Sequence, residues 1–277
     1  ENLCAFTADF GNSDDSKKRS VSLAKALGHT NHVIKSINDK DVQNSLTLTS
    51  KICDTPFDDT SIIPSNIVFS SIKDAGYSVA LTGDGADELF CGYSSFGNLS
   101  KIEKILNKKF DFIRRHPGKI MKRIFSNYKS YDLDRLFMNE SDLLIDLSCN
   151  GFKVREWVDD IETEYDPLHY LNKILKDLGG LRPLDKLRIL NLKFKLPQQM
   201  LFKVDRASMF NSVEARPLFL NNKIIEAALS VSSSVMMQEG QKTVLKKIYQ
   251  SQIPHSGWSL PKTGFGWKTN SYKDIFS

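Results

Sequence analysis

From Thr82 to Glu88 the chain reads Thr-Gly-Asp-Gly-Ala-Asp-Glu, placing three carboxylates and two glycines directly after the apolar run Val79 to Leu81. The adjacent acids Asp87 and Glu88 offer hard oxygen donors of the kind that hold Mg²⁺, an ion that keeps several waters and shares substrate phosphates. Gly83 and Gly85 allow a tight turn and a close approach of backbone to a ligand. The same acids also suit an ordinary helix start, where exposed N–H groups and the helix dipole favour negative charge. The residues alone leave both readings open. An EF-hand is excluded, because the alternating oxygen ligands and distal Glu of that loop are missing. Far downstream, Lys262 in Pro-Lys-Thr-Gly-Phe-Gly is a cation on a glycine-bounded loop, or one more surface lysine in a basic chain.

Such a turn needs a strand to end on. Leu3 to Phe10 reads as a strand closed by Gly11-Asn12-Ser13, and Ser13 to Gly28 as a helix with Ser and Asp at its start and Gly at its stop. His32 to Ile37 follows as a second strand, Pro64 to Ala75 as a helix with Pro in its first turn, and Tyr77 to Gly83 as a third strand. Strands separated by helices require crossover connections, which predicts an α/β fold with a parallel, helix-covered sheet. Ligands of such sheets bind beyond the carboxyl ends of the strands, where Gly83 falls. After Lys101 helical periodicities dominate, predicting a mostly helical C-terminal lobe. Residues 1–100 are expected to form the α/β part and residues 101–277 the helical lobe.

Composition narrows the class. The chain has 277 residues, 40% hydrophobic, enough for a substantial core. No apolar run reaches the length of a bilayer span, and Glu1-Asn2-Leu3-Cys4 has no signal-peptide character. Cys4, Cys53, Cys91 and Cys149 stand far apart, arguing against a zinc site or a disulfide framework and for a reduced, cytoplasmic compartment. The net charge is +5, with ten Lys/Arg against Glu103 and Asp111 between Lys101 and Ser130. That basic run could be a nucleic-acid footprint, but Ile102, Ile105, Leu106, Phe110 and Ile113 recur at helical spacing, so a solvated helix face is favoured over nucleic acid.

Three longer stretches, Asp54 to Tyr93, Leu196 to Asn222 and Leu260 to Trp267, together with the helix and strand Leu23 to Ile34, resemble the synthetase (ATP pyrophosphatase) domain of the glutamine-hydrolysing asparagine synthetases. The resemblance covers most of the chain and is weakest from Lys101 to Leu190. It implies an adenine-nucleotide α-hydrolase-like fold and ATP-dependent amide formation, asparagine being made from aspartate through β-aspartyl-AMP. By motif position it implies Asp87 as Mg²⁺ ligand with Glu88 in support, and Thr82, Gly83 and the backbone of Ala8 at the nucleotide. Asp84 takes the position of an acid, often Glu, tied to intermediate formation, and Lys262 that of the cation facing the α-phosphate. Lys203, Asp205, Arg206, Glu214 and Arg216 are either substrate contacts or buried structural pairs.

The departures are also informative. The family's Ser-Gly-Gly-x-Asp-Ser pyrophosphate loop and its N-terminal glutaminase domain are not in this sequence, which reads as a fragment; a glutaminase domain is expected in the full-length protein, and a homodimer is compatible with it. Asp9 and Cys91 replace usual glycines. Three functions follow: an asparagine synthetase-type amidotransferase; a relative that adenylates another carboxylate, such as a β-lactam or lasso-peptide cyclase or a sugar-modifying amidotransferase; and a non-catalytic binding module of the same fold.

Overall fold

The computed structural model describes residues 3–10, 16–29, 31–55, 57, 59–103, 135, 138–149 and 168–250. These residues fall into two compact units, one drawn from the spans Glu1–Asp84, Gln198–Leu218 and Leu245–Ser277, the other from Gly85–Pro197 and Phe219–Val244.

The first unit is α/β. Strand β1 (Cys4–Asp9) leads to helix α1 (Ser16–Ala26), and β2 (Asn31–Ser36) to α2 (Asp39–Ile52) and α3 (Ile62–Asp74). Then come β3 (Val79–Thr82) and, from later in the chain, α8 (Phe202–Phe210) and β4 (Glu214–Pro217). Helix α1 stops where the sequence predicts: Gly28 at φ +73° donates to the Lys25 carbonyl while His29 N–H donates to Ala24, a closure that turns the chain into β2. Gly76 ends α3 the same way and delivers β3. Asn38 and Asp41 cap α2 reciprocally, satisfying two donors at its start.

Both strand pairings are parallel, as expected, β1 with β2 from Cys4↔Asn31 to Asp9↔Ser36, and β3 with β4 from Val79↔Glu214 to Thr82↔Pro217. The sequence predicts one sheet; the described strands form two separate pairs. Strand β4 is an addition, since its four residues end on Pro217 and sit among helical periodicities that mask so short a signal. Helices α3 and α8 bury Phe69, Ile72, Val204, Ala207 and Val213 against each other and against Phe6 and Ala80 of the strands. A second cluster joins Ala8, Ile37, Val42, Ile52 and Ile63, with Phe57 and Phe202 in ring contact at 5.1 Å beside it. Each such aliphatic side chain contributes about 1.5–3 kcal/mol on full burial.

The second unit is helical. It holds α4 (Ala86–Leu89), a helical stretch over 94–103, α5 (Glu140–Cys149), α6 (His169–Asp177), α7 (Pro183–Leu190), α9 (Asn222–Leu229) and α10 (Ser233–Met236). Its fully buried side chains include Leu89, Phe96, Leu99, Leu144, Ile145, Leu171, Leu187, Leu190 and Met236. Between α7 and α8 the chain winds as a π-helix, Asn191–Leu201, around Pro197, a residue that cannot donate a helical hydrogen bond. The last described element is α11 (Thr243–Tyr249). Among the described residues no helix is long and apolar enough to cross a membrane.

Candidate functional site

The Thr82–Glu88 turn divides between the units: Thr82, Gly83 and Asp84 close β3 in the first, and Gly85 opens α4 in the second. In the first unit, a cavity of about 570 Å³ opens between β1 and β3, lined by Cys4, Phe6, Val68, Ile72, Leu81 and Thr82 among others. Its size suits a small ligand. Of the residues predicted at the nucleotide, Thr82 lines this cavity, with a buried hydroxyl that has no hydrogen-bond partner; Ala8 and Gly83 do not line it. Ala8 is buried in the β1 core, while Gly83 faces solvent with nothing within 4 Å of where a Cβ would stand. Gly83 therefore needs no glycine for local packing. Asp84 is half-buried.

Gly85 does need one. It sits at φ +88°, and a Cβ there would lie 2.3 Å from Leu220 Cδ2. The left-handed turn so formed starts α4 and sends its two acids to different partners. Glu88 is almost fully buried and accepts a hydrogen bond of 2.5 Å from the Tyr93 hydroxyl. The Lys195 ammonium lies 4.6 Å from the centre of that tyrosine ring and donates to the Ser148 carbonyl at 3.1 Å. Asp87 stays half-open, its Oδ1 2.9 Å from the Lys242 ammonium. Both side chains run over Gly92, where a Cβ would fall 1.9 Å from Asp87 Oδ1 and 2.3 Å from Lys242 Cε.

Cys91 lies just past α4 in the second unit. Its φ is +53°, the left-handed region that a glycine enters freely. Its thiol is sealed in the second unit, and burial, only partly offset by Arg188 and Ser233, pushes its pKa up to about 11. It is a structural thiol rather than a nucleophile.

The remaining candidates separate by burial. Lys203 is buried and donates to Ser61 Oγ at 2.8 Å and to Asp59 Oδ2 at 3.3 Å, joining α8 to the loop before α3. Arg206 reaches Asp54 at 3.1 Å near the surface and lies 5.2 Å from the Phe202 ring centre. Asp205 faces solvent. Glu214 and Arg216 form an exposed bidentate pair at 2.8 and 3.1 Å, so they are not the buried tie that the sequence allows for. Asp9 accepts from Lys17 at 2.9 Å. Lys262 and most of the basic run lie outside the described residues.

Sequence reasoning passed over Lys242. The signal is faint: Glu-Gly-Gln-Lys-Thr marks a turn, and nothing in it announces a partner 155 positions upstream. Among the described residues, no three His, Cys, Asp or Glu side chains gather into a metal cluster. The donor chemistry present is one half-open carboxylate with a cation already at its oxygen, a fit for a hard ion bound through one protein carboxylate and water.

Comparison with known proteins gives the family. The chain is 24% identical over 272 residues to a Mycobacterium tuberculosis protein provisionally named asparagine synthetase (glutamine-hydrolyzing), covering 95% of this chain and 41% of that protein. A Mycobacterium bovis protein matches equally, and asparagine synthetase (glutamine-hydrolyzing) 1 of Bacillus subtilis is 24% identical over 252 residues, 87% of this chain and 38% of its own length. The chain thus spans about two fifths of the length of these relatives. The family described as asparagine synthase matches residues 1–275, and the chain belongs to it.

Proposed function

We propose that the full-length protein forms an amide by ATP-dependent activation of a carboxylate, converting aspartate to asparagine. A carboxylate oxygen of aspartate attacks the α-phosphorus of ATP, pyrophosphate leaves, and ammonia then displaces AMP from the acyl carbon. The ammonia would come from glutamine hydrolysed in a glutaminase domain of the longer protein. The observation that carries this reading is the Gly85 turn, which ends β3 and presents Asp87 half-open at the start of α4. In this reading residues 1–100 bind the nucleotide and residues 101–277 complete the site.

Thr82 supports the nucleotide assignment, since it lines the β1–β3 cavity at the carboxyl end of β3. Mg²⁺ would be held by Asp87 and would neutralise triphosphate charge as the bond to the leaving pyrophosphate breaks. Glu88 would steady α4 through Tyr93. Asp84 and, beyond the described residues, Lys262 would act on the reacting groups; the name asparagine synthetase is borne by relatives. A second reading keeps the adenylation and changes the acceptor: Cys91 and Asp9 stand where the family usually has glycine, as in a diverged member.

Pyrophosphate release by the full-length protein tests both. Release that requires aspartate and yields asparagine from glutamine supports the first reading; release with another carboxylate and no asparagine supports the second. No release with any carboxylate, under conditions in which ATP binds, returns the fold to a binding module. Lys262→Ala should lower release by about 10²- to 10³-fold with nucleotide affinity nearly unchanged.

A further inference from the structure

The Asp87–Lys242 pair has features that an incidental surface contact does not need. Lys242 stands at φ +55°, a left-handed backbone that a side-chain-bearing residue adopts only at a cost. It follows Gly240 at φ +101°, and the turn is tied by Thr243, which donates to the Gly240 carbonyl at 2.7 Å and accepts from Glu239 N–H at 3.2 Å. The turn is therefore built, and what it delivers is an ammonium 2.9 Å from Asp87 Oδ1. The two side chains pass over Gly92 so closely that any Cβ there would have to push the pair aside. Gly92 N–H in turn donates to the Asp87 carbonyl at 2.8 Å, fixing the glycine under the pair.

We propose that Lys242 is a built-in counter-ion to Asp87, a positioning residue that holds the carboxylate where a divalent cation would sit and must give way when one enters. This rests on the reading of Asp87 as the cation ligand. The ammonium and a divalent ion compete for one oxygen, and each repels the other. The pair is half-open on both sides, so water and ions reach it, and the four-carbon stem of Lys242 lets the ammonium swing aside without moving backbone. While no cation is bound, Lys242 keeps the Asp87 rotamer in place; when one is, the freed ammonium stays beside it. Lys242 thus sets the affinity of the site for bare metal, and removing its charge should make that affinity higher.

The test is direct titration of the full-length protein with Mn²⁺, following the free-ion signal by electron paramagnetic resonance. Lys242→Gln, and independently Lys242→Met, should bind Mn²⁺ about tenfold more tightly than the parent, the order expected for losing one positive charge beside a divalent ion in a half-solvated site. Lys242→Arg, which keeps the charge, should return affinity to the parent value. Asp87→Asn should abolish the competed site, and adding Lys242→Gln to it should gain nothing. Damage to folding would weaken binding and cannot imitate a gain. Unchanged or weaker Mn²⁺ binding in both neutral variants, with Asp87→Asn still abolishing the site, would overturn the counter-ion role alone. Mn²⁺ binding indifferent to Asp87→Asn would overturn the cation reading of Asp87 and this proposal with it.

Discussion

Two Lys–Asp pairs, one in each unit, share their chemistry and differ in everything around them. Lys203 and Asp59 expose 11% and 15% of their side chains and share Ser61, whose hydroxyl accepts from Lys203 and donates to Asp59 at 2.5 Å. Lys242 and Asp87 expose 31% and 25% and lie over a glycine. The first pair is enclosed by α8, α3 and a serine that satisfies both partners, so neither ion can leave without stranding the other in a poor solvent. The second is open to water, so each partner can be solvated if the two part. The difference teaches that an ion pair's role is set by its enclosure: the enclosed pair fastens α8 in place, and the open pair can part at little cost.

The sharpest test of that contrast is the largest expected effect. Lys203→Met keeps most of the apolar stem but leaves the partly buried Asp59 and the buried Ser61 without their cation, and should lower unfolding free energy by about 3 kcal/mol. Urea unfolding of the full-length protein measures it. A loss under about 0.5 kcal/mol would place Lys203 with ordinary surface pairs and dissolve the comparison.

Gly92→Ala should come next. The added methyl would lie 1.9 Å from Asp87 Oδ1 and 2.3 Å from Lys242 Cε, so the pair must part or the backbone must shift. Overpacking of this kind costs about 2 kcal/mol. The same unfolding measurement applies, and a crystal structure of the variant should show the ammonium displaced from Asp87. Retention of the pair at its present distance would show that Gly92 is not what seats it.

The open region also contains one sealed group, Cys91, and its titration separates the two environments. Burial raises its pKa from 9.0 to about 11, so the folded state disfavours the thiolate. The stability tied to this shift is complete below the unfolded value and is lost as pH rises from about 9 towards about 11. At pH 9 the folded protein should leave Cys91 unmodified by a thiol reagent that labels the half-buried Cys4 and Cys149. Mass mapping of labelled peptides decides it, and prompt labelling of Cys91 would mean that the second unit opens around it.

How much of this was legible in the sequence depends on range. Local rules found α1, α3, β1, β2 and β3, because glycine stops such as Gly28 and Gly76 and apolar runs are written within a few residues of what they shape. Parallel pairing followed from the intervening helices. The split into two strand pairs and the existence of β4 did not, since Glu214 to Pro217 acquires its strand character from lying against β3, 135 positions away at each rung. Within the site, Asp87 and Glu88 were visible as adjacent acids, but their divergence was not: Glu88 turns inward to Tyr93 and Asp87 outward to Lys242, a choice made by the left-handed turn at Gly85 and the room above Gly92. Lys242 and Lys203 look alike in the sequence, and only packing distinguishes them.

The smallest effect is expected at the pair that is open on every side. Glu214 and Arg216 sit two apart on β4, on one face, and the bidentate hydrogen bonds from the guanidinium hold the Glu214 carboxyl below its usual pKa, with the nearby positive charge adding to the shift. A carboxyl whose folded pKa is depressed contributes stability that is present above its unfolded value, about 4.3, and is lost as pH falls through the folded value. Both side chains are more than half exposed, so solvent and salt screen the attraction, and the contribution to stability should be hard to detect by unfolding. The titration itself is easier to see. Carbon-detected NMR of the Glu214 carboxyl should give a midpoint below that of the Arg216→Gln variant, and the gap should narrow as salt is raised. An identical midpoint in the two proteins would mean that the bidentate pair does not persist in solution, and a gap indifferent to salt would mean that the pair is enclosed and belongs with Lys203 and Asp59 rather than at the open end of the series.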